Sequence, residues 1–162
     1  MDDQDPPWLN AEEREAWLTL ASVMVRLPGA LDAQLQRDAG MTHFEFQVLA
    51  GLSESEDRTL RMSVLAQWAE GSLSRLSQVV SRLEKRGWVR RSPDPEDGRY
   101  TLATLTDAGW ATIVAAAPLH VERVRELVFD SLTKAQVGQL TTIGRRIMGA
   151  VDRDGDCPGP SR

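Results

Sequence analysis

Cysteine is almost absent from this chain: Cys157 is the only one. That excludes a disulfide framework and a cysteine-built zinc site. Histidine is nearly as scarce, with His43 and His120 the whole supply. No HExxH, no phosphate-cradling glycine loop and no nucleophile–base pair accompanies them, so the sequence predicts no enzyme and no cofactor. The acidic runs at 54–57 and 94–97 fall at turns and lack the histidines or spacing of a metal site. No apolar run approaches the roughly 20 residues that cross a bilayer. The opening MDDQDPPWLN is acidic where a signal peptide is basic and then apolar. Together these absences predict a cytoplasmic protein with no membrane partner.

What is there is ordinary globular material, 162 residues with 41% hydrophobic and 27% charged, enough for one core. The net charge of −5 speaks against a polyanion, but the charge is segregated. Asp2, Asp3, Asp5, Glu12, Glu13 and Glu15 face only Arg14 near the N-terminus. Arg75, Arg82, Lys85, Arg86, Arg90 and Arg91 face only Glu84. A local basic stripe decides where a polyanion docks, because acids beyond about 8–10 Å are screened at physiological salt.

Capping boxes set the helix starts. Asn10-Ala-Glu-Glu13 opens a first helix with a stripe of Trp17, Leu20, Met24, Leu27, Leu31 and Leu35, which Pro28-Gly29 is expected to kink or break. Thr42-His-Phe-Glu45 opens a second, short helix, and a third follows Ser63. Ser72 caps a fourth that runs to Arg86, with Gly87 as its stop and Leu76, Val79, Val80 and Leu83 as its buried face. The period then changes to two. Trp88–Arg91 and Tyr100–Leu105 read as strands around the turn-rich Pro93–Gly98, a hairpin. Thr106 caps a long helix to about Asp130, with Val114, Ala117, Val121, Val124 and Val128 at heptad-like spacing. Thr133-Lys-Ala-Gln136 opens a last helix carrying Val137, Leu140, Gly144, Ile147 and Val151. The Gly/Pro/Asp-rich stretch 153–162 reads as a disordered tail. Cys157 lies there with no basic neighbour nearer than Arg153, which predicts no redox sensor.

Helix, short helix, turn, helix, hairpin is the order of a winged helix-turn-helix, here spanning 61–105. The fold class is mostly α with a small β-hairpin wing. A second helix fits the major groove, about 12 Å wide, and the hairpin lies against the backbone or minor groove. The fourth helix presents Ser72, Ser74, Arg75, Ser77, Gln78, Ser81 and Arg82 outward. Arginine pairs with guanine and glutamine with adenine, while serines suit phosphates. Arg90, Arg91 and Arg99 add charge from the hairpin, and Asp97, two residues before Arg99, is placed to support that guanidinium in the wing. A solvated polar face and an ordinary hairpin salt bridge are the blander readings.

From Leu65 to Gly109 the chain reads LAQWAEGSLSRLSQVVSRLEKRGWVRRSPDPEDGRYTLATLTDAG. The LA at 65–66, the Ser-rich helix ending in LEKRGWVRR, Asp97-x-Arg99 and Leu105-Thr106-Asp-Ala-Gly109 resemble the multiple-antibiotic-resistance regulator (MarR) family over roughly 10–152. The resemblance implies one domain over 1–152, with dimerisation helices at 10–36 and 107–152. It implies a homodimeric transcription factor, usually a repressor, on double-stranded palindromic DNA, often released by a small aromatic or phenolic effector. Arg99 then matches the family's minor-groove arginine, although Gly98 stands where many relatives carry another. The family's effector pocket would fall on Trp17, Met24, His43 and Phe46, for which core or solvent is the plainer reading. Two rivals stay open: a winged-helix module for an acidic protein partner, and a DNA binder with no ligand.

Overall fold

The computed structural model describes residues 7–155, with side chains to 153. Asp2, Asp3, Asp5 and Cys157 lie outside the described residues. Within the span that the sequence suggests as one domain, the chain divides into two compact units, Met1–Val121 and Glu122–Arg162.

The first unit opens with α1 (Ala11–Ala39). Asn10 Oδ1 accepts the Glu13 N–H at 2.9 Å and Glu13 accepts the Asn10 N–H at 2.9 Å, so two orphan donors are satisfied reciprocally. Gly40 ends the helix in the left-handed conformation at φ 61°. Of the kink or break expected at Pro28-Gly29, no break forms: α1 continues through Pro28. The lost hydrogen bond and ring clash of an internal proline are local costs, and caps at both ends hold the remaining turns. The stripe is buried only at its C-terminal end, at Leu31 and Leu35, whereas Trp17 and Met24 are each 52% exposed. A helix of 29 residues is about 43 Å long, more than the small core beside it can cover.

Next come α2 (His43–Glu54), a short 3₁₀ turn, β1 (Thr59–Arg61), α3 (Met62–Trp68), α4 (Leu73–Lys85), β2 (Val89–Pro93) and β3 (Thr101–Leu105). The sequence suggests a two-stranded hairpin, but the sheet has three strands in the order β1-β3-β2. Thr59 pairs with Thr104 and Arg61 with Leu102, antiparallel. Three residues are too few for a period of two to register in the sequence, and β1 is held by its partner rather than by its own pattern. Leu49, Leu52, Leu65, Leu76, Val80 and Leu83 are fully buried where α2, α3 and α4 meet the sheet. Burying each such side chain is worth roughly 1.5–3 kcal/mol.

The Leu-Thr-x-x-Gly segment is a joint. The Thr106 N–H donates to the Trp88 carbonyl at 3.0 Å and its hydroxyl donates to the Gly87 carbonyl at 2.7 Å. The same hydroxyl accepts the Gly109 N–H at 3.0 Å, capping α5 (Asp107–Val124). Any side chain at Gly109 would collide with the Trp88 carbonyl, so the helix approaches the hairpin this closely only with glycine there. On α5 the buried residues are Gly109, Ile113, Ala116 and His120, a stripe beside the heptad-like one that the sequence suggests. Val114 and Val121 of the suggested stripe are about half exposed.

In the second unit the chain passes through a π-helical turn, Arg125–Phe129, into α6 (Lys134–Gly155). Thr133 and Gln136 form the expected capping box, at 2.8 and 3.3 Å. The helix continues three residues past Asp152, where composition suggests that a tail begins; its capped start and i→i+4 ladder carry the weak formers. Leu140, Ile147 and Val151 are exposed. No helix of the described residues is long and apolar enough to cross a membrane.

Candidate nucleic-acid interface

The Ser72 hydroxyl oxygen accepts the Arg75 N–H at 3.2 Å and starts α4. Its apolar face, Leu76, Val79, Val80 and Leu83, is sunk in the core. The opposite side therefore faces solvent by the 3.6-residue period alone. Ser74, Arg75, Gln78 and Arg82 are exposed there, and Ser77 and Ser81 are half-buried. The Arg75 guanidinium lies 4.1 Å over the Phe44 ring, which orients it without a counter-charge. Glu45 on α2, only 5% exposed, fixes the far end of α4. Its carboxylate accepts the Thr42 N–H at 2.9 Å and Arg82 Nε at 3.4 Å, and Arg86 approaches at 3.9 Å. Arg86 also donates to the Gly40 carbonyl at 3.0 Å and stacks 3.6 Å over Trp88. That guanidinium is structural. Glu45 thus caps α2 and holds the helix that carries the basic stripe.

In the hairpin, successive side chains point to opposite faces. Arg91 accordingly faces α4, where Glu84 accepts its Nε at 2.8 Å and its backbone N–H at 2.9 Å. Arg90 is exposed on the opposite face. The structure therefore brings Arg91 to the stripe and leaves Arg90 off it. At the tip, Asp97 accepts Arg99 Nε at 2.9 Å and Arg99 Nη2 at 2.6 Å, and also caps the Arg99 N–H at 3.1 Å. These hydrogen bonds from Arg99 hold the Asp97 carboxyl below the usual carboxylate range, and the same contact raises the Arg99 pKa.

Asp94 looks like a turn acid in the sequence, yet it is 7% exposed. It accepts the Glu96 N–H at 2.9 Å and Arg61 Nε at 2.7 Å. The Glu96 amide and then the Arg61 guanidinium keep its pKa low. The acidic tip therefore does not confront an incoming polyanion with three free charges: Asp94 and Asp97 are both spent on arginines. Arg61 and Ser63 were not legible as site residues. Both lie at the β1–α3 junction and line, with Ser77, Arg91 and Arg99, one cleft of about 360 Å³ between α4 and the wing. The one available signal was Thr59-Leu60-Arg61, too short to read as a strand.

On the other flank of α4 an open cleft of about 750 Å³ is lined by Asp32, His43, Gln47, Glu70, Arg75, Gln78 and Arg82, among others. Of the four suggested effector residues, only His43 lines it. His43 and Phe46 both pack against His120, with ring centroids 5.5 and 4.3 Å apart. Neither Trp17 nor Met24 lines the cleft. Asp32, which accepts the His43 N–H at 2.8 Å, is 15 residues along α1 from Trp17, about 22 Å of helix. His120 is buried with Nδ1 3.0 Å from Gln34 Oε1. Burial lowers both histidine pKa values; Asp32 partly offsets this at His43, while His43 adds to it at His120. Among the described residues no three His, Cys, Asp or Glu side chains are grouped as a metal site would require.

Known proteins share this fold. The MarR family model matches residues 39–99. The crystal structure of Sco3205, a MarR family transcriptional regulator from Streptomyces coelicolor in complex with DNA, superposes with a TM-score of 0.86 at 46% identity, covering 89% of this chain and 94% of that one. YfiV, an uncharacterized HTH-type transcriptional regulator of Bacillus subtilis (strain 168), is 31% identical over 146 residues, 88% of this chain and 89% of its own. YdcH, described in the same words from the same strain, is 31% identical over 98 residues, 59% of this chain and 66% of its own. A helical lobe with a three-stranded wing and a basic, hydroxyl-rich fourth helix defines a DNA-binding transcriptional regulator of the winged helix-turn-helix class. The chain belongs to the MarR family.

Proposed function

We propose that the protein acts as a homodimer that reads a pseudo-palindromic operator in double-stranded DNA and represses transcription by occupying it. The observation that carries this reading is the outward row Arg75, Gln78 and Arg82 on α4, flanked by an arginine clamped at the wing tip. In each half-site α4 enters the major groove, with Arg75 and Gln78 meeting base edges and Ser74, Ser77 and Ser81 meeting phosphates. Arg99 reaches the minor groove, where narrow A·T-rich stretches attract guanidinium. Dimerisation is supported by large apolar side chains left exposed among the described residues: Trp17, Val25, Val121, Ile143 and Ile147. Two-fold symmetry then sets the half-sites about 10 bp apart.

An effector is the finer part of the proposal. The cleft holding His43, Arg75 and Arg82 joins α1 and α2 to the reading helix. A small aromatic acid bound there would contact Arg75 and Arg82, two of the side chains proposed to face DNA, and so bind the free and DNA-bound forms unequally. Release of DNA by a hundredfold needs about 2.7 kcal/mol of such coupling. A cytoplasmic setting follows from the proposed operator.

Selection from a random duplex library at about physiological salt tests the DNA reading. Enrichment of an inverted repeat with half-sites near 10 bp is the expected result. Weak, salt-sensitive binding without enrichment would leave the stripe to non-specific attraction and bring the protein-partner reading forward.

A further inference from the structure

Three arginines around the cleft between α4 and the wing share one geometry. In Arg61, Nε and Nη2 both meet Asp94, the closest contact being 2.7 Å. In Arg91, Nε and Nη2 meet Glu84 at 2.8 and 2.6 Å. In Arg99, Nε and Nη2 meet Asp97 at 2.9 and 2.6 Å. Each guanidinium is thus fixed by the same edge, and in none does Nη1 have a hydrogen-bond partner among the described residues. In each pair the cation is the more exposed member: 41% against 7% for Arg61–Asp94 and 83% against 27% for Arg99–Asp97. The narrower margin, 32% against 28%, is at Arg91–Glu84. An anion arriving from solvent meets the guanidiniums before the carboxylates. Ser63, Ser77 and Thr101 bring hydroxyls to the same walls. Arg61 and Arg99 also share the Tyr100 ring, at 4.6 and 6.0 Å.

From this convergence we infer that the cleft is a seat for one phosphodiester of the DNA backbone, with Arg61 as a phosphate ligand and Arg91 and Arg99 beside it. The inference rests on the DNA reading proposed above and adds a residue from outside the reading helix and the hairpin. Fixing the Nε–Nη2 edge in advance means that little side-chain freedom is lost when Nη1 and the outer Nη2 hydrogen close on a phosphate oxygen. The carboxylates take up part of the positive charge, which suits a singly charged diester better than a doubly charged phosphate monoester. The seat lies between α4 and the wing, the two elements that straddle the backbone when one is in the major groove and the other in the minor groove.

The test scans the selected operator with single methylphosphonates, which delete one phosphate charge at a time, against the full-length wild type, Arg61→Ala and Arg61→Lys. For the wild type, one neutralised position per half-site is expected to weaken binding by roughly tenfold or more. For Arg61→Ala that position should cost almost nothing further, while every other sensitive position keeps its effect. Arg61→Lys keeps the charge but loses the fork, so it should hold the wild-type salt slope with reduced affinity. Circular dichroism and thermal unfolding of each variant establish that the wing lobe is folded. If Arg61→Ala weakens binding equally at all positions, Arg61 merely props the wing and the seat is overturned. Unchanged binding overturns it too. Inorganic phosphate that displaces DNA from the wild type better than chloride at matched ionic strength, but not from Arg61→Ala, would assign the seat to free phosphate instead. Absence of any selected operator would remove the DNA reading itself, whereas an operator without a coupled phosphate would remove only the seat.

Discussion

Replacing Arg99 by alanine separates charge from posture at the wing. The Arg99 side chain is 83% exposed, and among the described residues its side-chain hydrogen bonds go only to Asp97, through Nε and Nη2. Its loss therefore leaves the fold untouched and removes one cation from each half-site. Each phosphate neutralised contributes about 0.9 to the slope of log K against log salt. Two wings should therefore lower the slope by about 1.8, with roughly tenfold or more lost in affinity per wing. Asp97→Asn is the informative partner. It keeps the cation but replaces a two-oxygen clamp with one carbonyl oxygen, so the guanidinium must be ordered on binding. Affinity should fall, by less than in Arg99→Ala, while the salt slope stays at the wild-type value or rises slightly. Gel-shift or anisotropy titrations over a salt series, on one operator, read both numbers. Identical affinity and slope for Arg99→Ala and wild type would take the wing out of the interface. A slope drop in Asp97→Asn as large as in Arg99→Ala would refute the view that the aspartate positions rather than neutralises.

Gly109→Ala should destabilise the lobe by about 1–3 kcal/mol or more, because a methyl group there collides with the Trp88 carbonyl; denaturant unfolding measures it. Stability should also fall on acidification. His43 and His120 have pKa values below the usual histidine value of about 6.5, so between the folded and unfolded values the unfolded chain binds more protons. The stabilisation is fully present above that usual value and is lost as pH drops toward the folded values, and His120→Gln should flatten the slope of melting temperature against pH. Ile147→Asp puts a charge on an exposed apolar position of α6 and should yield monomers in sedimentation, with operator binding lost and the far-ultraviolet spectrum kept.

The sequence carried the parts of this molecule whose causes are local. Ser72 and Thr133 cap their helices, and Asp97 grips Arg99, because each needs only a partner two or three residues away. The α4 stripe was legible for a similar reason: one face of one helix repeats every 3.6 residues. Arg61 was not, since its meaning depends on Asp94, 33 residues on, and on a three-residue strand that exists only beside β3. His120 was not legible because α5 carries two overlapping stripes, and the buried one, Gly109, Ile113, Ala116 and His120, is less apolar than the heptad-like one beside it. Trp17 and Met24 read as core or pocket because they continue a stripe that does become core at Leu31 and Leu35; both are half exposed, and helix length carries Trp17 away from His43.

If α4 reads bases in two symmetry-related grooves, each side chain proposed to meet a base sets the preference at its own position and nowhere else. Duplex selection run side by side on the wild type, Arg75→Ala and Gln78→Ala tests it most directly. The wild type is expected to enrich an inverted repeat, and each variant to lose preference at its own position, once in each half-site, with the rest of the site unchanged. The same preferred sequence from all three proteins would contradict it.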